Sequence, residues 1–433
     1  MIITYGVGIL LSLIVIGIPI GFALGLAGTF SLLMVSNVDT VNGLLGQVVH
    51  ETAANYVLLT IPMFVLMSEL LGAGGLAQDL MIACNRLLRR IRGGLAMACV
   101  MAGAILAAAS GSSTASVATI SSAAFPTMKA LGYDRGFAIG TISIAGTLAI
   151  MIPPSIAFVV YGIITEESIG RLFMAGLVPG LLTAAGYIIT IAFMVWRKPE
   201  LAPGVGRPNS GAGAVTEELR QSGNVWPIVG LVILILGALY AGVATPTEVG
   251  AIGALGALLL SVMMRRLTGP SLVQAVGNTV RTTAMIVTII FGALLFGYFI
   301  SYTQTTTTLL VWIRDSGLSP HAVLLLILAV YLVLGMLMDQ FAIIVLTVPI
   351  TYALMTGLGF DGIWFGVLIV KTAEIGLVTP PMGLNIFISS AATGVTTREG
   401  FAGVTPFVVT ELIILALLVA FPEITLFLPD LLG

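Results

Sequence analysis

The sequence predicts an all-α polytopic membrane protein made of two copies of one unit, the second inverted relative to the first. Composition, an internal repeat and the distribution of basic residues support this fold class. Of 433 residues, 58% are hydrophobic and 8% are charged, whereas about 25% are charged in an average soluble domain. So few charged side chains cannot cover a soluble fold of this size, which excludes a soluble enzyme. The net charge of −2 provides no basic patch for nucleic acid.

Ten apolar segments are predicted to cross the membrane, because a spanning helix needs about 20 apolar residues. They lie at 1–18, 20–36, 55–73, 137–163, 172–195, 226–243, 248–263, 282–300, 362–391 and 403–428. Two of them are interrupted, by Pro153-Pro154 and by Pro380-Pro381. Amphipathic stretches lie between the spans, including one at 267–281 that precedes the span at 282–300.

Two further apolar segments, 93–128 and 321–357, carry polar interruptions at Ser110–Thr114 and at Gly335–Asp339. Each half of the first segment has about 16 residues and reaches about 24 Å as a helix. That length is less than the roughly 30 Å of a bilayer core. Both segments are therefore predicted to be re-entrant helical hairpins whose polar interruptions form the tips.

The strongest signal is an internal repeat at an offset of 227 residues. Leu131-Gly132-Tyr133-Asp134 matches Leu358-Gly359-Phe360-Asp361, and the two Pro-Pro pairs fall on each other. The same shift aligns further turn, break and capping residues along nearly the whole chain. We therefore predict a first repeat at 1–196 and a second at 225–433, joined by a polar, Gly/Pro-rich linker at 197–224.

The basic residues predict the orientation, since Lys and Arg accumulate in cytoplasmic loops. With the arginines at 86–92 in the cytoplasm, 14 of the 17 basic residues are cytoplasmic. The linker is then cytoplasmic and both chain termini are periplasmic. Each repeat crosses an odd number of times, so the second is inverted. The hairpin at 93–128 opens towards the cytoplasm, and the hairpin at 321–357 towards the periplasm.

Non-helical backbone at membrane depth is tolerated only where it is buried or lines a cavity. Inverted repeats with broken helices are typical of secondary carriers, whose sites lie where the breaks meet. The tips and Pro-Pro breaks therefore predict two pseudosymmetric Na⁺ sites rich in neutral oxygens, with no other cofactor. The candidate Na⁺ ligands are Ser110, Gly111, Ser112, Pro153, Ser155, Gly335, Met338, Asp339, Thr379, Met382 and Gly383.

Free N–H groups at the hairpin helix N-termini favour an anionic substrate beside these sites. The candidate substrate-binding residues are Ser112, Ser113, Thr114, Ser155, Lys371, Glu374 and Asn385.

Each of these interpretations has a structural alternative. A Ser/Gly run in a membrane helix also serves helix packing, and a Pro-Pro pair also produces a simple kink. Asp339 is either a cation ligand or the cap of a half-helix. Lys371 and Glu374 either contact the substrate or form a buried i,i+3 ion pair. Glu69 and Glu411 lie within spans, and each either contacts a partner subunit or lies near the end of its span.

Two groups of motifs resemble the large membrane subunit of tripartite ATP-independent periplasmic (TRAP) transporters. The first group is SGSSTASVATISSAAFPTMKALGYD, GTLAIMIPPSIAFVVYG and ESIGRLFMAGLVPG; the second is GMLMDQFAIIVLTVPI and EIGLVTPPMGLNIFI. The resemblance covers nearly the full chain. One departure is Lys371-Thr372-Ala373-Glu374, where many members have an apolar or Asn-containing run.

The resemblance implies an elevator-type carrier of the ion transporter superfamily, in the inner membrane of a bacterium or archaeon. Such carriers import small organic acids with Na⁺. A periplasmic substrate-binding protein delivers the substrate, and a small four-helix membrane subunit braces the scaffold. We expect that subunit to be a separate chain, because no such segment precedes Met1.

The predicted function is Na⁺-coupled import of an organic anion of the C4-dicarboxylate, sugar acid, sialic acid or sulfonate type. The alternative is a receptor-independent dicarboxylate/Na⁺ symporter of the same superfamily. A membrane-embedded enzyme needs an acid/base or metal constellation, and neither His50 nor His321 has suitable neighbours in the sequence. A channel needs a continuous pore, whereas two inverted hairpins are occluding elements.

Overall fold

The computed structural model describes residues 2–88, 90–202 and 226–432. All regular secondary structure in these ranges is helical, which confirms the predicted all-α fold class. Most of the predicted linker, from residue 203 to residue 224, lies outside the described residues. Its described beginning follows the end of a long helix at Arg197 and contains a 3-10 helix, Pro199–Leu201.

Most helices of the two repeats correspond in order and in length. In the first repeat, α1 to α10 span Ile2–Val15, Ile20–Val35, Val38–Ala54, Thr60–Ala73, Leu76–Leu88, Gly94–Ser110, Ser113–Ala130, Arg135–Met151, Ile156–Thr165 and Ile169–Arg197. In the second, α11 to α20 span Trp226–Tyr240, Pro246–Met263, Gly269–Tyr302, Thr305–Ser316, Pro320–Gly335, Gln340–Gly357, Gly362–Gly376, Leu384–Thr393, Thr397–Ala420 and Glu423–Leu432. At the 227-residue offset, the hairpin arms α6 and α7 correspond to α15 and α16.

The repeated aspartates explain why equivalent helices begin at equivalent residues. The Asp134 side chain accepts a hydrogen bond from the Phe137 N–H at 2.8 Å, and the Asp361 side chain accepts one from the Trp364 N–H at 2.8 Å. Both are N-caps, which provide an acceptor for an N–H group that has no partner within the helix. The sequence match at 131–134 and 358–361 therefore marks the start of α8 and of α17.

One part of the second repeat differs from our prediction. The amphipathic stretch at 267–281 and the span at 282–300 form a single continuous helix, α13, of 34 residues. In the first repeat the corresponding chain is broken between α3 and α4. There the Asn55 side chain accepts a hydrogen bond from the Val57 N–H at 2.9 Å and begins a 3-10 helix, Tyr56–Leu59. Thr282 stands at the equivalent position, and α13 continues through it.

The equivalent helices α10 and α19 pack against each other in opposite directions. Thr190 Oγ1 lies 2.6 Å from Thr410 Oγ1, and the Tyr187 hydroxyl donates to Glu411. A Cβ atom at Gly186 would meet both Thr410 and Ile414 at 3.0 Å. A later residue of α10 thus contacts an earlier residue of α19, which makes the pair antiparallel. A two-fold axis that exchanges two antiparallel helices is perpendicular to both. The structure therefore confirms the predicted inverted repeat.

The two repeats interlock by reciprocal packing. Arm α7 of the first hairpin packs against α18 of the second repeat, and arm α16 of the second hairpin packs against α9 of the first. Each hairpin thus contacts the half-helix that follows the Pro-Pro break of the other repeat. This exchange brings each tip close to residues that are distant in sequence.

Seven helical segments among the described residues are long and apolar enough to cross a membrane. They are Tyr56–Ala73, Arg135–Thr165, Ile169–Arg197, Pro246–Met263, Gly269–Tyr302, Gln340–Gly357 and Thr397–Ala420. Six of the seven coincide with predicted spans, whereas Gln340–Gly357 is an arm of the hairpin predicted at 321–357. Shorter apolar helices, α1, α2 and α11, coincide with three more of the predicted spans, and the predicted span at 362–391 is divided into two shorter helices. The fold is therefore that of a multi-pass membrane protein.

The contact between α8 and α19 requires glycine on both helices. A Cβ atom at Gly403 would overlap the carbonyl oxygen of Gly136, and a Cβ atom at Gly140 would overlap the backbone of Gly403. Backbone atoms cannot move aside as a flexible side chain does. Small residues at membrane helix interfaces permit this close approach.

We expect Gly403→Ala to destabilise the protein by at least about 1–3 kcal/mol, the usual cost of overpacking a core. Gly277→Ala is the matched control, since Gly277 also lies inside a helix but has open space around its Cβ position. The measurement is the thermal unfolding midpoint of both variants in detergent. Equal midpoints would show that α8 and α19 do not pack as closely as described.

Candidate substrate and cation site

The first hairpin tip lies directly against the first Pro-Pro break. Helix α6 ends at Ser110, and Gly111 follows it with a φ of 60°. A Cβ atom at Gly111 would lie 3.1 Å from the carbonyl oxygen of Pro154. Ser110 Oγ donates a hydrogen bond to the carbonyl oxygen of Ser112 at 3.2 Å. The tip and the break therefore contribute a group of neutral oxygens to one place.

The remaining polar residues of this tip differ in what they contact. Ser112 Oγ and Thr114 Oγ1 lie 3.2 Å apart, and both side chains are half-buried. Ser155 is fully buried and its hydroxyl donates to the carbonyl oxygen of Ile150, across the Pro153-Pro154 break. Ser155 thus bonds to the backbone of the break, whereas Ser112 and Thr114 bond to each other.

The second tip is hydrogen-bonded to the second break. The Met382 N–H donates to the carbonyl oxygen of Met336 at 3.2 Å. Gly335 and Gly376 pack backbone against backbone, because a Cβ atom on either would meet the other. Met338 is the half-buried residue before Asp339. The predicted tip and the predicted break therefore form one unit here as well.

Asp339 has a defined structural role at this tip. Its side chain accepts a hydrogen bond from the Phe341 N–H at 3.1 Å and caps the N-terminus of α16. Capping was the structural alternative for this residue. A carboxylate has more acceptor sites than one N–H uses, so the cap leaves room for a cation as a further partner.

Hydrogen bonds connect the chain before the Pro380-Pro381 break with the chain after it. The Asn385 N–H donates to the carbonyl oxygen of Leu377 at 3.0 Å, and Thr379 Oγ1 donates to the carbonyl oxygen of Ile375 at 2.6 Å. Gly383 has a φ of 48°, a left-handed conformation that glycine adopts at little cost. These contacts fix the start of α18.

Two of the predicted substrate residues form a direct bond between the repeats. Asn385 Nδ2 donates a hydrogen bond to Ser113 Oγ at 2.6 Å, and both side chains are buried. Ser143 Oγ and Ser389 Oγ lie 2.7 Å apart one turn further on. Among the described residues, Asn385 Oδ1 has no hydrogen-bond partner. The start of α18 therefore follows the second break in the chain and also contacts the first tip.

A polar cleft of about 250 Å³ opens beside the first tip, between the hairpin and helices α4 and α13. Ser68 and Ser110 both line this cleft, and their hydroxyl oxygens lie 3.3 Å apart. On the opposite wall, Asn278 Nδ2 donates to Glu69 Oε2 at 2.9 Å. Glu69, for which the sequence left a partner contact and a position near a span end as alternatives, thus lines the cleft beside the first tip.

Lys371 and Glu374 lie in a separate, fully buried cluster with Glu411. All three side chains have 0% exposure. Lys371 Nζ lies 3.0 Å from Glu374 Oε2 and 2.8 Å from Thr183 Oγ1, and it also pairs with Glu411 Oε2. The ammonium group thus donates hydrogen bonds to Glu374 and Thr183 and forms an ion pair with Glu411. None of these contacts involves a tip residue, which favours the ion-pair alternative over a substrate contact.

Sequence reasoning missed the other members of this cluster. The Tyr187 hydroxyl donates to Glu411 Oε1 and lies 3.2 Å from Thr147 Oγ1. The cluster lies where the repeats meet, because Lys371 bonds to Thr183 and Glu411 bonds to Tyr187. No sequence signal indicates that Thr147, Tyr187 or Glu411 belongs to it.

A membrane carrier is the class of protein that this arrangement defines, because an inverted repeat with paired helix interruptions is a carrier architecture. The family model for the "Tripartite ATP-independent periplasmic transporter, DctM component" matches residues 7–424. The chain belongs to this family. It is the large membrane subunit of a TRAP transporter and not an enzyme.

Individual relatives and a solved structure agree with this assignment. The C4-dicarboxylate TRAP transporter large permease protein of Pseudomonas aeruginosa is 36% identical over 95% of this chain and 94% of its own length. The isethionate TRAP transporter permease protein of Oleidesulfovibrio alaskensis is 30% identical over 96% of this chain and 64% of its own length. The crystal structure of the Alcanivorax borkumensis YdaH transporter shares the fold. Its TM-score is 0.62 at 15% identity, over 89% of this chain and 90% of that one.

We expect Lys371→Met to lower stability by about 3–5 kcal/mol, because it leaves two buried carboxylates without their cation. The triple variant Lys371→Met, Glu374→Gln and Glu411→Gln restores much of this loss, since no net charge then remains. The measurements are thermal unfolding in detergent and the substrate concentration for half-maximal uptake. A large rise in that concentration with unchanged stability would instead support the substrate contact.

Proposed function

We propose that this subunit imports a small organic anion together with Na⁺, after a periplasmic substrate-binding protein has delivered the anion. The observation that carries the proposal is the pairing of each hairpin tip with a helix interruption. The proposed location is the bacterial or archaeal inner membrane, with both chain termini in the periplasm. A small four-helix membrane subunit is the proposed third component, and the lipid bilayer surrounds the assembly.

Two Na⁺ ions are proposed to bind where the tips meet the breaks. The oxygens of Ser110, Ser112 and Pro154 at the first tip suit a hard cation, which prefers oxygen ligands. At the second tip, Met382 is bonded to the tip backbone and Asp339 supplies a carboxylate. The cargo cation thus interacts with both a hairpin and an interrupted helix, so its binding stabilises one arrangement of the two.

The anion is proposed to bind at helix N-termini beside these cations. Helices α7 and α9 begin after Ser112 and Ser155 without a side-chain cap. Uncapped helix N-termini present N–H groups and a partial positive charge, which attract carboxylate and sulfonate groups. The two relatives are named for a C4-dicarboxylate and for isethionate, a sulfonate. An organic anion of either kind is consistent with these N-termini.

Na⁺ binding and anion binding are coupled because both depend on the geometry of the hairpin tips. If Na⁺ orders the tips and the ordered tips form the anion site, each ligand raises the affinity for the other by the same factor. We propose that the hairpins and the interrupted helices then move together past the other helices, as in an elevator. The cleft beside Ser110 lies between these two parts and is the proposed route on the side to which the first hairpin opens.

Asp339→Asn is the first test, because Asn also caps a helix but carries no charge. We expect the Na⁺ concentration for half-maximal uptake to rise about tenfold, which corresponds to about 1.4 kcal/mol. The assay is uptake into proteoliposomes at varied Na⁺, with the partner proteins present. Asp361→Asn is the matched control, since Asp361 also caps a helix. It caps the N-terminus of α17, and the Pro-Pro break follows the C-terminus of that helix. An unchanged Na⁺ curve for Asp339→Asn would contradict the cation assignment.

Ser113→Ala tests the bond between the tip of one repeat and α18 of the other. We expect weaker anion binding, with the apparent affinity falling about fivefold to tenfold, because Asn385 loses a buried hydrogen-bond partner. Ser122→Ala is the control on the same helix, where the hydroxyl bonds only to a carbonyl of its own helix. If both variants transport equally well, Ser113 has no part in the site.

The receptor-independent symporter is the alternative function. Proteoliposomes that contain the membrane subunits but no substrate-binding protein decide between the two. Uptake at the full rate without that protein would establish the alternative, whereas uptake only in its presence supports the proposal.

A further inference from the structure

A groove of about 540 Å³ lies between the N-terminal ends of α8 and α19 and the C-terminal end of α10. Its apolar wall includes Phe137, Phe193, Met194 and Pro406. This volume is within the roughly 300–1,000 Å³ of typical small-molecule sites. None of its lining residues belongs to a tip or to a Pro-Pro break, and the proposed transport function does not use it.

Exposed aromatic side chains place this groove at the edge of the membrane. Trp196 is 76% exposed and Phe193 is 52% exposed, and their ring centroids lie 6.1 Å apart. Both residues lie in the last turns of α10, a helix long enough to cross the bilayer. Trp and other aromatic residues mark the boundary between hydrocarbon and headgroups. The groove therefore opens where lipid headgroups lie.

Four charged residues of both signs line the groove. They are Arg197, Lys198, Asp134 and Glu399. The ion pairs found among the described residues do not join any two of these four. The Arg197 guanidinium instead lies 5.9 Å from the centre of the Phe193 ring. The groove thus presents two cations and two anions that are separated rather than neutralised by each other.

Both carboxylates use only one oxygen for the protein. Asp134 Oδ1 accepts from the Phe137 N–H at 2.8 Å, and Glu399 Oε2 accepts from the backbone and the hydroxyl of Thr396. In the described part of the chain, no hydrogen bond reaches Asp134 Oδ2 or Glu399 Oε1. Each carboxylate therefore caps a helix and keeps an acceptor for a ligand.

We propose that this groove binds a phospholipid with a phosphoethanolamine headgroup. Arg197 and Lys198 bind the phosphate, and the free oxygens of Asp134 and Glu399 accept hydrogen bonds from the primary ammonium. The acyl chains lie against Phe193, Met194 and Pro406. A phosphatidylglycerol headgroup has no cation for the two carboxylates, and the quaternary ammonium of phosphatidylcholine has no N–H to donate. Charge complementarity therefore selects the ethanolamine lipid.

Native mass spectrometry of the purified full-length protein tests this proposal. The protein is incubated with equimolar phosphatidylethanolamine, phosphatidylglycerol and phosphatidylcholine of identical acyl chains, and the retained lipid is identified. We expect phosphatidylethanolamine to predominate. Arg197→Ala with Lys198→Ala lowers its binding about tenfold, whereas Lys129→Ala, an exposed basic residue outside the groove, leaves it unchanged.

A second variant separates headgroup recognition from folding. Asp134→Asn with Glu399→Gln keeps acceptors for both helix caps but removes both negative charges. We expect this variant to unfold at nearly the wild-type temperature and to lose its preference for phosphatidylethanolamine over phosphatidylcholine. Equal retention of all three lipids by the wild-type protein, a preference for phosphatidylglycerol, or a preference that survives in this variant would each overturn the proposal.

Discussion

The whole architecture depends on partners for the backbone groups that the helix interruptions expose. Lipid offers no hydrogen bonds, so each exposed N–H or carbonyl must find a partner within the protein. The Met382 N–H bonds to the Met336 carbonyl, and the Asn385 N–H bonds to the Leu377 carbonyl. A hairpin tip and a helix break thus stabilise each other. Neither would be tolerated at membrane depth without the other.

The scarce charges divide into groups with different physical roles. Lys371 and its two carboxylates are fully buried, and the Lys371 ammonium group contacts side chains from both repeats, so the cluster joins helices. Asp339 lies at a tip, half-buried, where a ligand can still reach its carboxylate. Arg197 and Lys198 lie at the membrane edge and have no acidic partner among the described residues. Depth and pairing therefore decide whether a charge supports structure or ligand binding.

The sequence predicted those parts of the fold that depend on local composition or on the internal repeat. Apolar length, polar tips and the 227-residue offset were enough for the hairpins and the inverted repeat. The continuity of α13 was not predicted. It depends on one position: Asn55 ends a helix in the first repeat, whereas the equivalent Thr282 lies inside α13. The bond between Ser113 and Asn385 and the position of Glu411 were not predicted either. These depend on contacts between distant residues, for which one sequence carries no signal.

The antiparallel contact between α10 and α19 has an evolutionary consequence. Equivalent helices of the two repeats meet face to face, through Thr190 and Thr410. An interface of one surface with its own copy is the isologous kind found in symmetric homodimers. A single half-length protein, inserted in both orientations, has the surfaces needed to form this dimer. In one continuous chain, each half can carry substitutions that the other lacks, such as the lysine at 371.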